Sequence, residues 1–175
     1  MSFQMIRRSA KYDVAWGEAF AGELLVEGVK QEVGAFYHRI QAPLYHLPEG
    51  GTVEQGVYEV DRWLEYHRTH GDVELAMRAS TLVRETSSGR LVAVCLVNAC
   101  RPDHVRKVLR PVASIQMIDV DPAFRRRGLG TRMIQRAMTI VADHRPAFDL
   151  WVDEDNPGAI ALYEKLWFVF TGIED

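Results

Sequence analysis

Between residues 112 and 143 a β-rich run, residues 112–120, passes through Asp121-Pro122-Ala123-Phe124-Arg125-Arg126-Arg127-Gly128-Leu129-Gly130-Thr131 into a stretch with helical apolar spacing. A strand that hands over to a helix through two glycines fixes a strand–turn–helix unit and aims the helix start at one end of a sheet. The first N–H groups of a helix have no intrahelical partner, and the macrodipole adds roughly half a positive charge there. Such a junction is an anion cradle, suited to a pyrophosphate. Gly128 and Gly130 carry no Cβ, so phosphate oxygens can approach the main chain and positive φ is allowed. Arg125, Arg126 and Arg127 add charge without being needed for main-chain bonds. The same residues also describe a solvated basic turn that caps a helix, and the turn alone does not separate the two. No Gly-Lys-Ser/Thr follows and no third glycine completes a dinucleotide fingerprint, so nucleoside triphosphates and NAD fit poorly.

Around this unit the chain reads as alternating elements. Residues 4–8 form a short strand, and residues 12–37 have the apolar spacing of one or two helices, weakened by Gly17, Gly22, Gly28 and Gly34. A loop with Pro43, Pro48, Gly50 and Gly51 leads to Thr52 and Gln55, a capping box opening a helix that runs through His67 and stops at Gly71. Residues 75–85 and 90–98 are β-rich and flank Ser87-Ser88-Gly89, which predicts an antiparallel hairpin. A basic loop, residues 101–110, precedes the strand at 112–120. Then come a helix at 128–143, a strand at 148–152, a helix at 157–166 and a strand at 168–171. No repeat or linker divides the chain, and 175 residues suit one domain over residues 1–175. The order implies an α/β fold, a mixed sheet with helices on both faces.

Composition removes whole classes. With 47% hydrophobic and 26% charged residues, the chain is neither fibrous nor disordered. Its longest aliphatic run, residues 91–97, is far short of the ~18 residues a membrane helix needs, so no membrane association is expected. Residues 1–13 lack an apolar signal core, and two cysteines, Cys95 and Cys100, are too few for a disulfide framework. A cytoplasmic location with reduced thiols is the expectation. The net charge is −3, yet residues 101–136 hold nine basic and three acidic residues, leaving −9 on the remainder. That imbalance argues against nucleic-acid binding, which favours a broadly basic domain, and suits a compact anion.

Two motifs together give a resemblance. Val120-x-Pro122, then Arg125-x-x-Gly128-x-Gly130, and downstream Asn156-Pro157-Gly158-Ala159-Ile160-Ala161-Leu162-Tyr163-Glu164-Lys165-Leu166, resemble the GNAT superfamily of acyl-CoA-dependent N-acyltransferases. The likeness covers residues 114–170, about a third of the chain; residues 4–8 and the hairpin fit the family's strand order, while residues 12–71 do not identify themselves. It implies a mostly antiparallel central sheet and transfer of an acetyl group from acetyl-CoA directly to a primary amine of a small molecule or peptide, with no metal. Main-chain amides of Arg126, Arg127, Gly128, Leu129 and Gly130, with Arg125 beside them and Thr131 opening the helix, would hold the CoA pyrophosphate. Backbone groups of Ile118 and Val120, on the splayed end of their strand, and Asn156 would bind the pantetheine arm. Asn156 before Pro157 is also a normal helix cap, and the two roles can coexist.

Tyr163 would be the proton donor to the departing thiolate, since a phenol with a pKa near ~10 stays protonated at neutral pH. A core tyrosine on an apolar stripe would look the same. The base is less plain: many relatives place Glu where this chain has Gln116, and strict alternation puts Asp119 on the other face from Gln116, Ile118 and Val120 unless a β-bulge intervenes. Water-mediated deprotonation is an equal reading. His38, His46, Tyr37 and Tyr45 lie in the front region where the family builds its acceptor site, although such residues are more often packing. Trp167 stands where the family has a glycine suited to a positive φ, so a different helix exit is expected. Few residues follow position 171, which predicts an exposed or shared sheet edge and a homodimer. The −9 remainder favours a cationic acceptor. A non-catalytic acyl-CoA-binding sensor is the alternative that Gln116 leaves open.

Overall fold

The structure, a computed structural model, describes residues 1–8, 27–41, 53–99 and 112–174. In chain order these form β1 (Ser2–Arg8), α1 (Glu27–Gln41), α2 (Val53–His70), α3 (Val73–Ala79), β2 (Thr81–Arg84), β3 (Leu91–Ala99), β4 (Val112–Val120), a 3₁₀ turn (Pro122–Phe124), α4 (Leu129–Val141), β5 (Ala147–Asp153), α5 (Pro157–Lys165) and β6 (Val169–Glu174). The strands make one sheet in the order β2-β3-β4-β5-β1-β6. Only β4 and β5 run parallel, so the sheet is mixed and mostly antiparallel, as expected. Tyr45, His46 and the basic loop at 101–110 lie outside the described residues.

One sequence expectation is corrected. The first β-rich run begins as a helix and becomes a strand only from Thr81: Asp72 accepts a hydrogen bond from the Leu75 N–H at 3.0 Å and starts α3, whose Leu75, Ala76 and Ala79 are buried at helical spacing. The cap and the i, i+1, i+4 pattern override the β-like composition. Arg136 of α4 then donates to the Arg78 and Ser80 carbonyls and to Thr81 Oγ1, closing the helix end before β2. The strand β1 lies toward the other end of the sheet from the hairpin. It pairs antiparallel with β5 along its whole length, Ser2 opposite Asp153 through Arg8 opposite Ala147, and with β6 on its other side. The N-terminal strand thus takes the position next to β5, and β6, with exposed Val169 and Phe170, is one edge of the sheet, β2 the other.

Helices cover both faces. Residues directly opposite on paired strands share a face, so Ala93, Cys95, Val97 and Ala99 of β3 lie with Val120, Ile118, Ile115 and Ala113 of β4. This is the face of α4, since Arg136 donates to Thr81 Oγ1 and Thr81 stands opposite Cys95, and the buried Tyr163 of α5 senses Cys95 from the same side. The other face, with Leu96 and Met117, packs against α1 and α2. Those two helices cross where Gly34 meets Gly56: a Cβ on Gly56 would fall 2.2 Å from the Gly34 carbonyl oxygen. Gly34, a weak residue for a helix, is there because two backbones touch. The α2 end is pinned by His67, only 1% exposed, whose Nδ1 donates to the Trp63 carbonyl at 2.7 Å while Nε2 accepts from the Ala99 N–H at 3.1 Å.

Candidate active site

The site grows out of an interruption in the sheet. β4 and β5 pair only from Val112 opposite Ala147 to Ile115 opposite Leu150. Beyond that, Ile118 and Val120 pair with β3 alone, so the strands part toward their C-terminal ends. A β-bulge at Gln116, between the Leu96–Met117 and Val97–Ile115 pairs, falls where the parting begins. Bulges bend a strand and end its pairing, which is the local cause of the cleft.

At the mouth of the cleft lies the glycine turn. Asp121, 7% exposed, opens it by accepting from the Ala123 N–H at 3.0 Å with one oxygen, while the other receives Arg39 of α1 at 3.2 Å and Arg90 of the hairpin at 3.5 Å. Arg126 and Gly128 both take left-handed backbone, φ 64° and 78°. Gly128 is the N-cap of α4 and provides no side-chain cap, whereas α3, α5 and the 3₁₀ turn are each capped by an Asp or Asn. The first amides of α4, Leu129 to Thr131, therefore start a helix with nothing from the protein's side chains at its cap, and the space where a Cβ of Gly128 would stand is open to 4 Å. Gly130 has a different reason: its Cβ would come 3.2 Å from Leu162 Cδ2, so it sets the approach of α5 to α4.

The arginines do not act alike. Arg125 donates from Nε to the Val120 carbonyl at 3.0 Å, folding back on the strand end. Arg127 donates to the Ala123 carbonyl and stacks 4.7 Å from the centre of the Phe124 ring. Arg126 is exposed. All three nevertheless stand around the uncapped helix start.

Tyr163 is the buried residue of α5, 5% exposed. Burial pushes its phenol above the ordinary tyrosine range, with Cys95 and the Asp119 carboxylate raising it further, so it is protonated at neutral pH. Its position is set from both ends of the helix. Asn156 Oδ1 accepts from the Ala159 N–H at 3.1 Å, with Pro157 in the first turn, so the cap role of Asn156 is realised and its Nδ2 is left as a donor. At the other end the Phe168 N–H bonds the Tyr163 carbonyl at 3.0 Å and the Trp167 N–H bonds the Glu164 carbonyl at 2.9 Å, a Schellman closure with the Tyr163 and Phe168 rings 5.9 Å apart. The expected change of helix exit does not occur: Trp167 adopts the glycine-like φ of 67° and leaves its side chain 78% exposed.

On the α1–α2 face a small cavity of about 70 Å³ is lined by Tyr37, Glu59, Trp63, Leu96, Gln116 and Met117 among others. Gln116 accepts from the Asn98 amide at 2.8 Å. Burial, together with the Glu59 and Asp119 carboxylates, raises the Tyr37 phenol. Tyr37 is thus a pocket residue, and His38 is beside it on α1. Glu59, Trp63 and Met117 escaped sequence reasoning. The α2 spacing identifies Val60, Trp63 and Leu64 as an inward face, yet nothing local marks Glu59.

The chain belongs to the acetyltransferase (GNAT) family: residues 43–168 match it. It is 28% identical over 130 residues to a mycothiol acetyltransferase of Acidimicrobium ferrooxidans, covering 62% of this chain and 40% of that protein. Over 60 residues it is 45% identical to an uncharacterized N-acetyltransferase of Methanocaldococcus jannaschii, 34% of this chain and 26% of that one. The chain thus spans well under half the length of both relatives. A GCN5-related N-acetyltransferase from Sphaerobacter thermophilus shares the fold, with a TM-score of 0.61 at 18% identity over 97% of this chain and 48% of that one. Among the described residues, no helix is long and apolar enough to cross a membrane.

Proposed function

We propose that this chain transfers an acetyl group from acetyl-CoA directly to a primary amine of a small molecule or peptide, in the cytoplasm. The observation that carries the reading is the pairing of two features at one sheet end: a cleft between β4 and β5, and an uncapped helix start with Gly128 in left-handed backbone. The first suits an extended amide-bearing arm that borrows strand hydrogen bonds from Ile118 and Val120. The second suits a pyrophosphate, held by the main chain from Arg126 to Gly130 and by Thr131, with Arg125 and Arg127 adding charge. Asn156 Nδ2 is a further donor for the arm. When bound, acetyl-CoA supplies an activated thioester, and Tyr163 returns a proton to its sulfur as the thiolate leaves.

The acceptor would enter from the α1–α2 face, where Tyr37 and Glu59 line the cavity. Carboxylates there favour a cationic amine over a neutral one. Calorimetry with acetyl-CoA, followed by release of free CoA with a panel of amines, tests the reading. Binding with amine-dependent release is the expected result. Absence of binding refutes it, and binding without release from any amine makes the protein an acyl-CoA sensor.

A further inference from the structure

We infer that Asp119 is the group that takes the proton from the incoming ammonium, and that the bulge at Gln116 is what presents it to the acceptor. The inference rests on the acetyl-transfer reading above. In a regular strand Ala113, Ile115, Met117 and Asp119 would share one face. Here the bulge divides them: Ala113 and Ile115 stay with Val97 and Ala99 toward α4, while Met117 and Asp119 pair with Leu96 and Val94 on the α1–α2 face. Met117 lines the acceptor cavity, and Asp119, two residues further toward the cleft mouth, shares its face on the stretch of β4 that no longer pairs with β5. Its side chain belongs to a residue only 9% exposed.

The groups around it fit the role. Tyr37 from α1 and Tyr163 from α5 both sense the Asp119 carboxylate, which raises each phenol. Cys95 from β3 senses it as well, and Glu59 from α2 acts on the same Tyr37. Among the described residues, Arg39 and Arg90 pair with Asp121, two residues on. An ammonium entering here meets carboxylate charge and protonated phenols.

The step balances as follows. The ammonium gives one proton to Asp119, and the free nitrogen pair attacks the thioester carbonyl carbon. A C–N bond forms, the C–S bond breaks, and the sulfur leaves with its electron pair. Tyr163 protonates that sulfur and is reprotonated by the second proton lost from nitrogen, while Asp119 later yields its proton to water.

The test compares wild type and Asp119→Asn from pH 6 to 10, with 1,4-diaminobutane, lysine amide and hydroxylamine as probes. For the two alkylamines kcat/KM is expected to fall at least about 100-fold at pH 7.5 in the variant. The deficit should narrow about tenfold per pH unit as the amine deprotonates unaided. Hydroxylamine, already uncharged at pH 7.5, should be used by both proteins within a few-fold, and the acetyl-CoA Kd should not change. Equal loss at every pH and with hydroxylamine overturns the inference, as does no loss. Should Asp119→Asn fail to fold, Asp119→Glu serves: it must keep the wild-type pH profile at lower kcat, and a profile shifted toward the amine's own pKa sinks the idea. Wild type that fails to bind acetyl-CoA sinks the underlying reading. Wild type that binds it but acetylates none of the probes is the acyl-CoA sensor and overturns both, whereas a wild type that transfers, with a variant deficit independent of pH, sinks the role of Asp119 on its own.

Discussion

Asp149 gives the most quantitative handle on the fold. It lies mid-strand on β5, opposite Ile6 of β1 and Ser114 of β4, and is partly buried. Gln4 Nε2 donates to it at 3.0 Å, and the Gln4 carbonyl oxygen Oε1 is in turn held by the Thr171 hydroxyl at 3.1 Å. Burial outweighs that single bond and pushes the carboxyl from 3.8 up to about 6. The folded state therefore holds a proton that the unfolded chain has already lost between about pH 4 and 6. Stability falls as pH rises through that window and levels off above it. A displacement of about two units corresponds to roughly 3 kcal/mol. Asp149→Asn removes the titration and keeps an acceptor for Gln4. The variant should match wild type at pH 4 and exceed it by about 2–3 kcal/mol at pH 8, a rise in Tm of roughly 4–12 °C for a domain of this size. Urea midpoints of both proteins at pH 4, 6 and 8 measure this, because every other titrating group cancels in the difference. Parallel pH curves, or a variant that is weaker at pH 8, refute the reasoning.

Three further outcomes follow from the same geometry. Tyr163→Phe should lower kcat by about 100-fold or more while leaving the acetyl-CoA Kd within about twofold, read by steady-state kinetics and calorimetry; equal turnover removes the phenol from the reaction. Gly56→Ala places a Cβ against the Gly34 backbone at 2.2 Å, so chemical denaturation should show a loss of at least about 1–3 kcal/mol, and a neutral result would mean that α1 and α2 do not cross there. Burial holds His67 below the ordinary histidine range, so the unfolded chain takes up a proton that the native ring refuses, and this residue's contribution to stability drops as pH falls below about 6.5. Nitrogen NMR at pH 6 should find a neutral ring with the proton on Nδ1, and a charged ring or a proton on Nε2 contradicts the Trp63–Ala99 strut.

The strand–turn–helix of the proposed donor site was legible because it is local. β4 spans residues 112–120, as its composition predicts, and α4 begins one residue after Gly128. Asn156-Pro157 announces α5, and Tyr163 follows at a spacing that faces the sheet. These are main-chain features set by near neighbours in sequence, so glycine, proline and caps reveal them. Partner choice is a different matter. Nothing in Ser2–Arg8 says that this strand belongs beside β5 rather than beside the hairpin, since its alternation suits either place. Trp167 shows the opposite error: the residue type argues against a left-handed exit, yet the Schellman bonds and the Tyr163–Phe168 contact hold the backbone there.

The proposed acceptor half depends on a single residue of register. A strand's side chains alternate with a period of two, so one extra residue exchanges the faces of everything beyond it. Ile115-Gln116-Met117-Ile118 contains no glycine or proline to signal such an insertion, and alternation carried through from Ala113 sends Asp119 toward α4 and turns Ile118 and Val120 to the acceptor. The observed pairing reverses all three assignments. It also explains why the bulge and the parting of β4 from β5 coincide: the kink that ends pairing at Ile115 is the kink that re-aims the carboxylate. Deleting Gln116 should therefore do more than trim the strand. It should swing Asp119 off the acceptor face, and amine-dependent CoA release should vanish while the glycine turn still binds acetyl-CoA by calorimetry, more weakly for the loss of the Ile118 and Val120 contacts. Retained transfer would show that the face of Asp119 is irrelevant to the chemistry.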